Sequence, residues 1–286
     1  MSKILKNVFF LFVLTAGMLN AHPLSRPLNT IKDYCAGFRD HTRDFVVEAV
    51  VAQYFLFNSN AIVEVDAKNY PVLDELVNKL ASAAKIKRPL VFLITKKYPG
   101  FLDKVNACAA GDKNSSVIIM GSWLLDNMST KEVEGVIAHE MGHIQKSHTQ
   151  KRIASLLAYI TGIGLSYWGT DCLKKSGVTL QIPGTAYTIG SHEFEWIPLM
   201  YMFGGLLALK WYNRTQEKEA DLLAVDFTGH KELAQSLQSL DAVVHKYLPF
   251  SAWMNEGSNK WFADHPTIEE RIRYIQAYAQ RPVKTA

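Results

Sequence analysis

Cysteine is scarce in this chain: three in 286 residues, at Cys35, Cys108 and Cys172. At most one internal bridge can form, which excludes a fold stapled together by disulfides. An excess of one charge is also lacking, with 31 basic residues set against 27 acidic ones. No basic stripe with interleaved aromatics is present, so nucleic acid is not an expected partner. Neither low-complexity tracts nor internal repeats occur, which excludes a solenoid. The most apolar stretches, 8–19, 153–169 and 196–209, are each shorter than the roughly 20 residues of an ordinary membrane-spanning helix. What remains is 48% hydrophobic and 20% charged, the composition of a globular chain able to bury a core in one or two domains.

The N-terminus reads as an export signal. Lys3 and Lys6 precede an uncharged stretch, Val8 to Leu19, and Ala21 offers a cleavage point ahead of His22-Pro23. Twelve helical residues reach only about 18 Å, short of the roughly 30 Å hydrocarbon core. Residues 1–21 are therefore expected to be a signal peptide, with an N-terminal anchor as the alternative reading because Leu19 is large for its place before the cleavage point. Export predicts an extracytoplasmic location, periplasmic if the source is bacterial. Residues 22–69 form an N-terminal extension.

From residue 70 the pattern sharpens. Pro71 opens a helix whose Val72, Leu76, Val77 and Leu80 recur at helical spacing. Leu90–Thr95 and Ser115–Met120 are short apolar runs between turn residues and read as strands, the second expected at an exposed sheet edge where substrate could be added as a strand. Ser129 and Glu132 form a capping box at the start of a long helix, and Thr267 with Glu270 repeats that signal before the last helix. Ile153–Gly169 and Trp196–Leu209 are flanked by Tyr167, Trp168, Trp196, Trp211 and Tyr212, as at a membrane interface. They read either as a hairpin in contact with membrane or as one buried in a core. Charged helices are expected at 213–228, 231–247 and 268–280.

The long helix carries His139-Glu140-Met141-Gly142-His143. Residues four apart share a helix face, so both imidazoles can reach one ion. Glu140 is turned away by about 100° and can stand beside an activated water as acid/base. Zinc takes three protein ligands in a catalytic site and keeps the fourth position open. Thr149 stands where a metzincin would have histidine, and His148, five residues past His143, reads as surface or supporting. Candidates for the third ligand are Glu193, Glu195, Glu217 and Glu219. Glu217 is the best of these because it shares a helix face with Asp221, so one carboxylate can bind metal while the other supports a ligand histidine. His265 precedes Pro266 and is therefore held in a loop. There it can pack locally, or reach over the metal to stabilise an oxyanion or block the open position.

HEMGH followed by Arg214-x-x-Glu217-x-x-Ala220-Asp221 resembles the HtpX-like and CAAX prenyl protease family of gluzincin metallopeptidases. Asn106-Ala107-Cys108-Ala109-Ala110-Gly111, Gly121–Leu125 and His265-Pro266 with Glu270-Arg271-Ile272 extend the resemblance from about residue 70 to 280. It implies an α+β, mostly helical zincin-type domain over 70–286, with a small sheet and the apolar helical hairpin at 153–209. It also implies one Zn2+ held by His139, His143 and Glu217, with Glu140 as catalytic residue; from their own positions Asp221, His265 and Asn106 are expected nearby. The expected activity is metalloendopeptidase cleavage of protein or peptide substrates, in the setting of membrane-associated protein quality control. The chain departs from the cytosol-facing members, which carry two spans before the motif. If the hairpin crosses a bilayer twice, the basic residues flanking the site favour an integral protein with a cytoplasmic site, the alternative to export. A catalytically silent binding protein on the same fold is the alternative activity, although such a protein has no need of Glu140.

Overall fold

A four-stranded sheet and a set of helices gathered around one buried helix are built by the residues that the computed structural model describes, 62–95, 106–177, 179–181, 188–189, 194–228, 232–247 and 266–280. Residues 1–21, where a signal peptide is expected, most of the expected N-terminal extension, Cys35, Glu193 and His265 lie outside the described residues.

The strands are β1 (Ile62–Glu64), β2 (Leu90–Ile94), β3 (Ala107–Gly111) and β4 (Ser116–Gly121), in the order β1-β2-β4-β3. β2 and β4 run parallel, and the two outer pairings are antiparallel. The strand expected at the edge is therefore in mid-sheet, paired on both sides. All six residues of β4 are buried, as suits an apolar run without alternation in a strand covered on both faces, while its place in the sheet is set by the strand order. Among the described residues, β3, made of small residues, holds the edge instead.

The helices are α1 (Pro71–Ala83), α2 (Ser122–Asn127), α3 (Thr130–Gln145), α4 (His148–Ser176), α5 (Trp196–Thr228), α6 (Glu232–Tyr247) and α7 (Ile268–Ala279). A small ribbon, β5 (Leu180–Gln181) with β6 (Thr188–Ile189), lies between α4 and α5 in the chain. α3 begins at the expected capping box, where the Ser129 hydroxyl accepts from the Glu132 amide and the Glu132 carboxylate accepts from the Ser129 amide. From Val133 to Ile144 it is buried throughout, because β3, α1, α5 and α6 all pack against it.

Two glycines of α3 make that packing close enough to assemble a site. A methyl group on Gly142 would stand 3.0 Å from the Ala220 backbone, and one on Gly135 would stand 3.0 Å from that of Leu233. The two helices crossing α3 thus approach to backbone contact, and the α5 crossing falls one residue from His143 and beside Glu217 and Asp221.

The hairpin departs from the expected boundaries and is not buried in a core. The apolar stretches belong to longer helices, since the charged residues 213–228 continue α5 without a break. Among the described residues, no helix is long and apolar enough to cross a membrane. Nor is the hairpin buried: Leu156, Ile160, Trp168, Leu199, Phe203 and Trp211 are exposed, the last at 68%. Its two arms are joined by stacked Tyr159 and Tyr201, with the Tyr159 hydroxyl donating to the Met202 carbonyl. Cys108 and Cys172 are not bridged to each other.

Candidate metal centre

α3 presents His139 and His143 on the face that meets α5, and α5 presents Glu217. Their ligating atoms lie within 4.8 Å of one another, and all three residues are buried. The two Nε2 atoms are 3.1 Å apart. Glu217 Oε2 is 3.6 Å from His139 Nε2, and its Oε1 is 3.4 Å from His143 Nε2. A tetrahedral ion with bonds of about 2.0–2.1 Å sets its ligands about 3.3–3.4 Å apart. The three side chains therefore lie close enough together to hold a metal ion, and two imidazoles with a carboxylate are a donor set that such sites use.

Each member has a partner. Asp221, fully buried, sits with Oδ1 2.8 Å from His139 Nδ1; the approach is close, although the ring N–H does not point along it. Arg271 of α7 donates to both Asp221 oxygens at 2.9 and 2.7 Å, and the Tyr274 hydroxyl donates to Oδ2 as well. Arg152 of α4 donates to Glu217 Oε1 at 2.6 Å and to Gln216 at 2.8 Å. His143 Nδ1 meets His148 Nδ1 at 2.8 Å, and His148 Nε2 lies 3.1 Å from Glu219 Oε2.

These neighbours set the protonation states. Burial alone raises the Asp221 carboxyl, but the Arg271 and His139 charges override it and hold it well below the usual range. Burial likewise disfavours a charged His139, and the Asp221 carboxylate reverses this, lifting it to about 10. His143 is pushed well below its ordinary value by burial and then by the His139 charge. Burial raises Glu140 above the ordinary carboxylate value, the direction that suits a group exchanging protons near neutral pH.

The site opens into a cleft of about 300 Å³. Glu140 and the three candidate ligands line it, together with Asn106–Ala109 of the edge strand region and apolar Leu124, Val136, Leu233 and Leu237. Of the residues singled out in the sequence, His139, Glu140, His143, Glu217, Asp221 and Asn106 come together here. Glu219 faces Lys146 and His148 instead of the three candidate ligands. Glu195 pairs with Lys174 at 2.5 Å, at the other end of the hairpin. His148 is not a surface residue: it is 1% exposed. The sequence reading assigned no role to Arg152, Arg271 or Tyr274. The last two stand three apart behind the Thr267 capping box, a spacing that puts both on one helix face.

The model of peptidase family M48 matches residues 67–279. The chain is 28% identical over 213 residues to a protease HtpX homolog of Polaromonas naphthalenivorans, covering 71% of this chain and 69% of that one. It is also 28% identical over 245 residues to one from Dictyoglomus turgidum, covering 79% and 75%. In structure it is similar to S. mikatae Ste24p, with TM-score 0.50 and 20% identity over 79% of this chain and 54% of that one. That likeness bears on the fold, a mostly helical zincin type with a small mixed sheet.

These findings correct the expected location. The relatives are HtpX homologs and the structural neighbour is Ste24p, none of them named as exported or periplasmic. The integral alternative needed two crossings, and no described helix is long and apolar enough for one. The extracytoplasmic assignment, which rested on residues 1–21, is withdrawn. By the family match across most of its length, the chain belongs to peptidase family M48 and is a metalloprotease.

Proposed function

We propose that the chain is a zinc-dependent endopeptidase in which His139, His143 and Glu217 hold the ion and Glu140 is the catalytic acid/base. The observation that carries this is the convergence of three buried donors, within 4.8 Å of one another, on a cleft that Glu140 also lines. Bound zinc would supply Lewis acidity, polarising the scissile carbonyl and lowering the pKa of the attacking water. Glu140 takes the proton of that water and returns it to the leaving amine, and burial tunes its carboxyl upward for both halves of the task. Asp221 orients His139, and Arg271 keeps Asp221 ionised.

β3 is well placed to hold substrate as an added strand. The Gly121 amide donates to the Asn106 carbonyl, and the Asp112 amide to that of Ser115. In this antiparallel register the even-numbered residues of β3 bond to β4, and Ala107 and Ala109 direct their backbone groups to the open side. An extended peptide can bond there without displacing β4.

The exposed apolar face of the hairpin supports a second element of the reading, peripheral contact with a lipid surface through 153–169 and 196–209. Trp168 and Trp196 near the turn and Trp211 near the domain bracket the apolar band, as interfacial aromatics do. Co-flotation with phospholipid vesicles, reduced when Trp168 and Phe203 are changed to Ser, tests it.

The central experiment pairs metal analysis with cleavage of casein by wild type and Glu140→Gln. One zinc per chain in both proteins is expected, with turnover lower in the variant by about 10²–10⁴-fold. Absence of metal from wild type, or normal turnover in the variant, would refute the mechanism.

A further inference from the structure

The two ligand histidines are supported differently. His139 has a carboxylate beside its outer nitrogen, the arrangement that metal sites commonly use. His143 has another histidine, buried, with a carboxylate one step further out. We infer that His148 and Glu219 are positioning residues that fix the tautomer of His143 and thereby leave its Nε2 free for the metal. The inference rests on the reading of His143 as a ligand.

The argument follows from donors and acceptors. A neutral imidazole has one N–H and one lone pair. If His143 Nε2 gives its lone pair to an ion, the proton sits on Nδ1, and Nδ1 must donate. Its neighbour at 2.8 Å is His148 Nδ1, which must then accept. His148 consequently carries its own proton on Nε2, and that nitrogen faces Glu219 Oε2 at 3.1 Å. An ionised carboxylate accepts only, so Glu219 permits no other tautomer of His148. Reversing either histidine would set two N–H groups, or two lone pairs, against each other inside the fold. Lys146 holds the other Glu219 oxygen at 2.8 Å and so keeps the carboxylate aimed inward.

Local backbone makes the contact possible. α3 ends at Gln145, and Ser147 adopts a left-handed conformation with φ 52 before α4 begins at His148. The kink turns His148 back toward His143, where a continuous helix would have carried it about 140° around the axis.

The test compares wild type with His148→Phe, His148→Asn and Glu219→Gln. Zn(II) affinity is measured by competition with a chromophoric chelator, and the visible spectrum is recorded for Co(II)-loaded protein. Asn can place its side-chain oxygen near the position of histidine Nδ1 and still accept from His143. The Gln amide offers either a donor or an acceptor and no longer selects a tautomer. His148→Phe and Glu219→Gln should each bind zinc more weakly by on the order of ten- to a hundredfold. His148→Asn should recover most of the loss, and the His148→Phe cobalt spectrum should shift. Melting of the chelator-treated proteins separates this from a packing role. Affinities within a few-fold of wild type in every variant would overturn the relay. So would equal losses in the Phe and Asn variants, or losses that follow the melting temperature. Failure of wild type to bind zinc would instead overturn the proposed metal site, and the relay with it.

Discussion

Asp221 Oδ1 lies 2.8 Å from His139 Nδ1, and the same carboxylate receives both hydrogen bonds of the Arg271 guanidinium fork. One buried anion on α5 thus joins that helix to the motif helix α3 and to α7, the last described helix. Replacing Arg271 with Met would leave Asp221 with only part of its compensation in a dry site. Removing one partner of a buried pair typically costs about 3–5 kcal/mol. Urea denaturation should show a loss of that order in Arg271→Met. A loss below about 1 kcal/mol would mean that His139 and Tyr274 alone satisfy Asp221.

Gly142 is fixed by the approach of α5, since a methyl group there would stand 3.0 Å from the Ala220 backbone. Gly142→Val should push α5 away from α3 and separate Glu217 from the two histidines. The expected result is a destabilisation of about 1–3 kcal/mol, as for other overpacked sites, accompanied by weaker zinc binding. Equilibrium unfolding and chelator competition measure the two effects. Wild-type zinc affinity in this variant would show that the crossing distance does not set the metal geometry.

Much of this could be read from the residues alone. Helical spacing placed His139 and His143 on one face, and both capping boxes, Ser129 with Glu132 and Thr267 with Glu270, mark true helix starts. Glu217 was separable from Glu219 because only Glu217 shares a face with Asp221. What failed was whatever depended on neighbours distant in the chain. β4 looked like an edge strand, yet its pairing with both β2 and β3 is a matter of sheet order, which apolar content does not encode. His148 looked peripheral because a regular helix was assumed through Ser147, where the backbone turns left-handed. Arg271 and Asp221 are 50 residues apart, and no local pattern announces their bond. The end of the apolar stretch at 209 looked like a helix boundary, but α5 continues to Thr228 because its polar half packs on α3.

The edge position of β3 gives a prediction about substrate. Ala109 directs its amide away from β4, so proline there removes a donor from the open side and leaves the β3–β4 ladder intact. Each hydrogen bond contributes about 0.5–1.5 kcal/mol net, which corresponds to a roughly 2- to 13-fold lower kcat/KM for an extended peptide. The loss should appear mainly in KM, with zinc content unchanged. Unaltered KM in Ala109→Pro would place the substrate backbone elsewhere in the cleft.

The start of the motif helix gives a pH prediction. Burial nudges the Glu132 carboxyl upward, but the Ser129 amide and hydroxyl and the Ser239 hydroxyl all bond to its ionised form and bring it below its ordinary 4.5. A carboxyl lowered by folding stabilises the fold fully at pH above its unfolded value. That contribution is lost as pH falls through the folded value, because the unfolded chain then takes up the proton more readily. Glu132→Ala removes the group at every pH. Wild type should therefore exceed Glu132→Ala by about 0.5–2 kcal/mol at pH 7, the usual worth of a helix cap. The gap should stay level down to about pH 4.5 and narrow below it. Urea midpoints at pH 7, 5, 4 and 3.5 measure it directly. A gap that is constant down to pH 3.5 would show that the protonated carboxyl caps α3 as well as the carboxylate does.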